Sequence, residues 1–184
     1  LIDSIRQLDD YLTGAYLHGS FGDREYVTNY SDVDLLLVVS EETLVDSTDL
    51  LELRREIQSL VRHYYYIDPH QHHETMVVAE PELQSYNRAY LPPAALSHGK
   101  SIFPQREQLT FHVRDDELER IHSFWRMLQT LRQCVADDQF PFPFAGSYLT
   151  TNCEAPLYCL KHFTSLIMLL PSLYMTAIGE PTYK

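Results

Sequence analysis

AYLHGSFGDREYVTNYSDVDLLLVV, residues 15–39, decides the reading of this chain. Two apolar runs, Gly14–Leu17 and Val33–Val39, are joined by a polar loop rich in turn residues. Short runs rich in Leu and β-branched residues, bounded by Gly, Ser and Asn, predict buried strands. The first run ends in His18-Gly19-Ser20, with Gly22 close behind. The second opens with Ser31-Asp32-Val33-Asp34 and continues as five apolar residues, Leu35 to Val39. Alternate residues of a strand share a face, so Asp32 and Asp34 are expected to project together.

Two carboxylates side by side repel one another, and each loses solvation on burial. A divalent cation removes that conflict, and a site of few hard oxygen ligands suits Mg²⁺ held jointly with substrate phosphates. The Gly19-Ser20 turn supplies a matching half. Glycine lets backbone approach a ligand closely, and N–H groups that open onto a helix attract phosphate oxygens. A lone GS or a lone DxD carries little weight. The ordered series GSxG, an eight-residue gap, then SDxDLLLV is specific.

On Gly19, Ser20, Gly22, Asp32 and Asp34 the chain resembles the nucleotidyltransferase superfamily that contains DNA polymerase beta, the aminoglycoside nucleotidyltransferases and the minimal nucleotidyltransferase antitoxins. The resemblance covers roughly residues 1–105. It implies an α/β (α+β) nucleotidyltransferase domain with a small mixed sheet over residues 1–105. An all-α helical bundle domain is expected to follow over 106–184. It implies Mg²⁺ on Asp32 and Asp34, and nucleoside triphosphate phosphates, ATP first, around Gly19, Ser20, Gly22 and Ser31. Arg24 lies in the loop over that site and is a candidate phosphate partner, with a solvated loop charge as the alternative. Many relatives carry a third carboxylate on the strand after the crossover helix. Glu74 is the nearest candidate for it and for the acceptor base. The usual pattern has an Asp inside the apolar run, where this chain has Met76, Val77 and Val78.

Charge narrows the acceptor. The 184 residues include 14 basic and 26 acidic ones, a net charge of −12, and the only lysines are Lys100, Lys161 and Lys184. Nucleic-acid binders need a basic footprint to neutralise phosphates. None longer than Arg54-Arg55 is present, so a small hydroxyl-bearing acceptor is expected and a nucleic acid is not. The function expected is thus an Mg²⁺-dependent nucleotidyltransferase that moves a nucleoside monophosphate to that hydroxyl and releases pyrophosphate. Two alternatives stay open: an antitoxin-type enzyme that modifies a partner protein, and a degenerate domain that only binds nucleotide or a partner.

At 45% hydrophobic and 22% charged the composition is that of a globular chain. Cys134, Cys153 and Cys159 are odd in number and lack CxxC spacing, which points to reduced thiols and a cytoplasmic location. The longest apolar stretch, Ala155–Leu170, is interrupted by Lys161 and His162 and stopped by Pro171, too short and too polar to span a bilayer. The chain begins without Met and stops at Tyr183-Lys184 with no terminal element completed, as a piece of a longer protein would.

The remaining elements follow from periodicity. Ile2, Ile5, Leu8 and Leu12 predict a helix over Leu1–Thr13 that ends at Gly14. Glu41–Thr48 reads as loop or short turn, and Asp49-x-x-Glu52 as the start of a helix to about His63. A strand over Glu74–Ala79 would complete a parallel crossover, with the ligand site at the strands' carboxyl ends or at a break in strand order. Pro81–Tyr90 reads as a helix ended by Leu91-Pro92-Pro93, Lys100–Phe103 as an edge strand, and 104–113 as linker. Leu118, Ile121, Trp125, Leu128, Leu131 and Val135 predict a helix from Asp115 to about Asp137, with Trp125 in the core. Glu154–Leu170 is expected as a central bundle helix, and Pro171 as the start of another that Gly179 closes. His63, Asp68, His70, His72, His73 and Glu74 form the densest group of potential ligands. Their spacing matches no zinc pattern, and a polar loop entering a strand is the plainer reading.

Overall fold

The computed structural model describes residues 1–23, 26–28, 30–69, 71, 75–87, 99–106, 108–114, 116–142, 147–152 and 155–180. It is mixed α/β, with a small mixed sheet and several helices, and it divides into two compact units. Of the described residues, those of 1–71 and 75–114 form the first and those of 116–180 the second.

In the first unit the two apolar runs become β1 (Leu12–His18) and β2 (Asp34–Val39). They pair antiparallel, Leu12 opposite Val39 and His18 opposite Asp34. β2 runs parallel to β3 (Met76–Ala79), Leu36 opposite Met76 and Val39 opposite Ala79, as the crossover reading expects. β4 (Tyr86–Asn87) lies outside this sheet, and β5 (Lys100–Ser101) pairs antiparallel with β1, giving the order β3-β2-β1-β5. β2 is buried from Leu35 to Val39, as befits an interior strand with both faces covered. Val33, Leu35, Leu37 and Val39 pack in a core with Ile5, Leu8, Leu53, Leu60 and Tyr64.

Leu1–Thr13 is not one helix. α1 spans only Ile2–Arg6, a 3₁₀ turn covers Asp9–Tyr11, and β1 has begun by Leu12. Ile5, Leu8 and Leu12 are nonetheless all buried, so the apolar spacing marks the core side of a broken path. After β1 comes α2 (Gly19–Asp23), one turn long. The expected loop after β2 contains α3 (Glu41–Val45), started by the Ser40 hydroxyl, which accepts from the Thr43 N–H at 3.2 Å. α4 (Ser47–Ile67) starts earlier and ends later than expected, because Asp46 caps it by accepting from the N–H groups of Thr48 and Asp49.

The helix expected over Pro81–Tyr90 is a 3₁₀ turn, Glu80–Ser85, that runs straight into β4. Its first turn is tied by the Glu82 carboxylate accepting from the Ala79 N–H at 2.8 Å. Leu91-Pro92-Pro93 lies outside the described residues. Residues 104–113 are not a linker, and the first unit continues to Arg114. The Arg106 guanidinium donates to the Leu12 and Asp9 carbonyls and pairs with the Asp9 carboxylate at 2.9 Å. Phe111 meets Tyr16 and Tyr86 edge-on, and β6 (Val113–Arg114) pairs with β4. The contacts of Arg106 with Asp9 and Leu12 and of Phe111 with Tyr16 join positions more than ninety residues apart, beyond the reach of local pattern.

The second unit is built on α5 (Glu117–Ala136), with a hairpin of β7 (Phe140–Phe142) and β8 (Ser147–Leu149), and α6 (Pro156–Ala177). The β-hairpin means that this half is not all-α. Pro171 does not start a new helix but lies inside α6, at the cost of one backbone bond. Gly179, at φ +88°, closes the helix, a conformation that favours glycine. Trp125 is not core: it is 56% exposed, and Leu118 and Val135 are exposed too. The buried cluster is instead Cys134, Phe140, Tyr158, Cys159 and Leu166, because the hairpin rather than a further helix covers this pair. Cys134 and Cys159 are both buried. No helix among the described residues is long and apolar enough to cross a membrane.

Candidate functional site

The antiparallel register of β1 and β2 closes the distance between the two halves of the sequence signature. His18, the last residue of β1, sits directly opposite Asp34, the first of β2. Directly opposed residues share a face with Cβ atoms about 5 Å apart. His18 is buried and Asp34 partly exposed. The next residue, Gly19, turns the chain at φ +59°, a left-handed conformation that costs other residues about 1–2 kcal/mol. It also lies against Asp34. A Cβ built on Gly19 would overlap Oδ2 of Asp34 and come within 3.0 Å of its Cγ. The GS turn and the second aspartate of the DxD are therefore in contact.

The candidate residues thus gather at the carboxyl end of β1 and the amino end of β2. For the parallel pair β2 and β3 this is the amino end, not the carboxyl end that was one of the two places expected; the antiparallel β1–β2 pairing brings the GS turn there. At the other end of β2, two surface grooves of about 770 and 880 Å³ open, lined respectively by Val39, Leu53 and Val77 and by Asp9, Glu41, Glu80 and Arg106. Neither includes Asp32 or Asp34.

Asp32 precedes the paired part of the strand and is partly exposed, while Val33 between the two aspartates is fully buried. Ser20 is partly exposed and Gly22 buried within α2, whose Phe21 packs on the core and stacks on Tyr26 with ring centroids 5.1 Å apart. Ser31 closes the loop back on itself, its hydroxyl accepting from the Val27 N–H at 2.8 Å. Arg24 and Glu74, and with them His70, His72 and His73, lie outside the described residues. Among the described residues no group of three or more His, Cys, Asp or Glu side chains is placed to hold a metal ion. The donors that are described, Asp32 and Asp34, are hard oxygen ligands of the kind Mg²⁺ takes when phosphates complete its shell.

Residues that periodicity did not single out support this end of the sheet. Tyr64, on α4, is fully buried, and its hydroxyl lies 2.6 Å from the Thr75 Oγ1. Burial pushes that hydroxyl up to about 12; the bond to Thr75 opposes the shift and the charge of Asp34 adds to it. Gln71 is buried as well, and its side-chain amide makes two hydrogen bonds to the backbone of Val33. A tyrosine in a Tyr-rich helix end and a glutamine in a polar loop carry no local sign of such roles.

The raised Tyr64 value has a consequence for stability. The folded state favours the protonated hydroxyl, so its contribution is complete below the ordinary value near 10 and is lost as pH rises toward about 12. The difference between 10 and about 12 corresponds to about 2–3 kcal/mol. Tyr64→Phe should flatten the fall in unfolding free energy over that alkaline window, as read by urea titration at stepped pH. Equal losses in both proteins would show that Tyr64 is not the group responsible.

Comparison with protein-family models, with curated proteins and with solved structures gives no match to this chain.

Proposed function

We propose that this chain is a nucleotidyltransferase of the DNA polymerase beta-like kind, moving a nucleoside monophosphate from a nucleoside triphosphate to a hydroxyl of a small molecule. The observation that carries the reading is the contact of Gly19 with Asp34, which unites a phosphate-type turn with a carboxylate-bearing strand. Asp32 and Asp34 would hold Mg²⁺, which supplies charge neutralisation on the phosphates. Backbone N–H groups around Gly19 and Ser20, with the Ser20 hydroxyl, are the proposed contacts of the triphosphate tail. In the transfer the acceptor oxygen bonds to the α-phosphorus, the bond from that phosphorus to the bridging oxygen breaks, and pyrophosphate leaves with the electron pair. The acceptor proton passes to a carboxylate, for which Glu74 is the proposed base.

A net charge of −12 supports a small acceptor rather than nucleic acid, since phosphate contacts need clustered cations and no Lys/Arg run is longer than Arg54-Arg55. The test is label transfer from α-labelled ATP, GTP, CTP or UTP to a metabolite mixture with Mg²⁺, alongside pyrophosphate release. A labelled small product is expected. Label appearing on protein instead would favour the partner-modifying alternative, and no release with any nucleotide would leave a domain that only binds.

A further inference from the structure

We propose that Gln71 is a positioning residue for the aspartate pair, its side-chain amide serving as an additional rung of the β-ladder at Val33. The proposal rests on the nucleotidyl-transfer reading of Asp32 and Asp34. The regular pairing of β2 with β3 covers Leu36 to Val39, and Val33 lies three residues before its first rung. There Gln71 takes over. Its Oε1 accepts from the Val33 N–H at 2.9 Å and its Nε2 donates to the Val33 carbonyl at 3.1 Å. A primary amide offers one donor and one acceptor side by side, as a peptide unit of a neighbouring strand does.

The rung is itself anchored. Gln71 is 1% exposed, and its N–H donates to the Asp68 carbonyl at 3.1 Å, while the Asp68 N–H donates to the Tyr64 carbonyl at 2.7 Å and ends α4. The chain leaving the crossover helix is thus turned so that the residue-71 side chain reaches the strand. Val33 is the residue between the two aspartates, and its own side chain is fully buried in the core. Fixing both its backbone groups fixes the direction in which its two neighbours leave the chain. Without the rung, two buried backbone groups would have to find other partners by rotating, and the carboxylates would turn with them.

The test uses Gln71→Met, which keeps length and volume but makes neither bond, and Gln71→Glu, which keeps an acceptor for the Val33 N–H and, read at a pH where its carboxyl is ionised, has no donor for the Val33 carbonyl. Three quantities are read on the intact chain: Mn²⁺ affinity in the presence of a non-hydrolysable ATP analogue, hydrogen exchange at the Val33 amide, and kcat. For Gln71→Met we expect at least tenfold faster Val33 exchange and at least tenfold weaker Mn²⁺ binding. Its kcat for Mg²⁺-dependent pyrophosphate release from ATP should fall. For Gln71→Glu we expect Val33 exchange to stay slow and Mn²⁺ binding to fall less. If Gln71→Met does not fold, Gln71→Glu carries the comparison alone: fast Val33 exchange in it overturns the proposal. Fast exchange in Gln71→Met with Mn²⁺ affinity within twofold of the parent also overturns it, because the rung would then hold backbone without placing the aspartates. A parent protein that binds no Mn²⁺–nucleotide overturns the nucleotidyl-transfer reading and this proposal together, and is told apart by appearing before any substitution is made.

Discussion

Asp34→Asn is expected to abolish Mg²⁺-dependent turnover of nucleoside triphosphate, a loss on the order of a thousandfold or more in kcat, with the chain still folded. Asparagine keeps the shape of the side chain against Gly19 and removes only its charge. That charge is what neutralises phosphate through the metal, and a neutral amide is a poor ligand for a hard cation. Asp32→Asn should act in the same direction. Removing one charge also removes a mutual repulsion within the pair, which bears on stability as well as on turnover. Turnover assays in parallel with thermal unfolding read both effects. If the double variant turned over nucleotide like the parent, the proposed function would be wrong.

Gly19→Ala is expected to damage both stability and turnover. The left-handed backbone at Gly19 costs an alanine about 1–2 kcal/mol before any contact is counted. The new methyl would also occupy the volume of the Asp34 carboxylate, which must swing away. At about 2–4 °C per kcal/mol for a chain of this size, the backbone cost alone lowers Tm by several degrees. Displacing Asp34 should cost at least a further tenfold in turnover, since small misplacements of a reacting group are expensive. A double-mutant cycle isolates the contact. In the Asp34→Ala background the collision is gone, so Gly19→Ala should cost only the backbone part. Identical costs in the two backgrounds would mean that Gly19 and Asp34 do not press on each other.

The legible elements were those whose partners are near in sequence. The runs around Tyr16 and Leu36 carry enough apolar density to be strands in any context. The apolar face from Leu53 to Val61 demands a helix, and a strand after it demands a parallel crossover. The pairing of a GS turn with a DxD strand pointed to one site, and Gly19 does lie on Asp34. Local spacing misled where it had to decide length or exposure. The stripe from Ile5 to Leu12 is buried yet broken by a 3₁₀ turn, and Trp125 sits on an apolar stripe yet faces outward.

By itself, then, the order of residues determined the central strands and the crossover helix, because periodicity and turn chemistry act over a few residues. Tertiary structure alone decided three other matters. It made 104–114 part of the first unit, through Arg106 on the Leu12 and Asp9 carbonyls and Phe111 between Tyr16 and Tyr86. It brought the Gly19 turn against Asp34, because β1 runs antiparallel to β2. It also gave Gln71 and Tyr64 their places under the aspartate strand. An amide or a phenol acquires such a role only from what folding brings against it, since burial turns an ordinary polar group into one that must be paired.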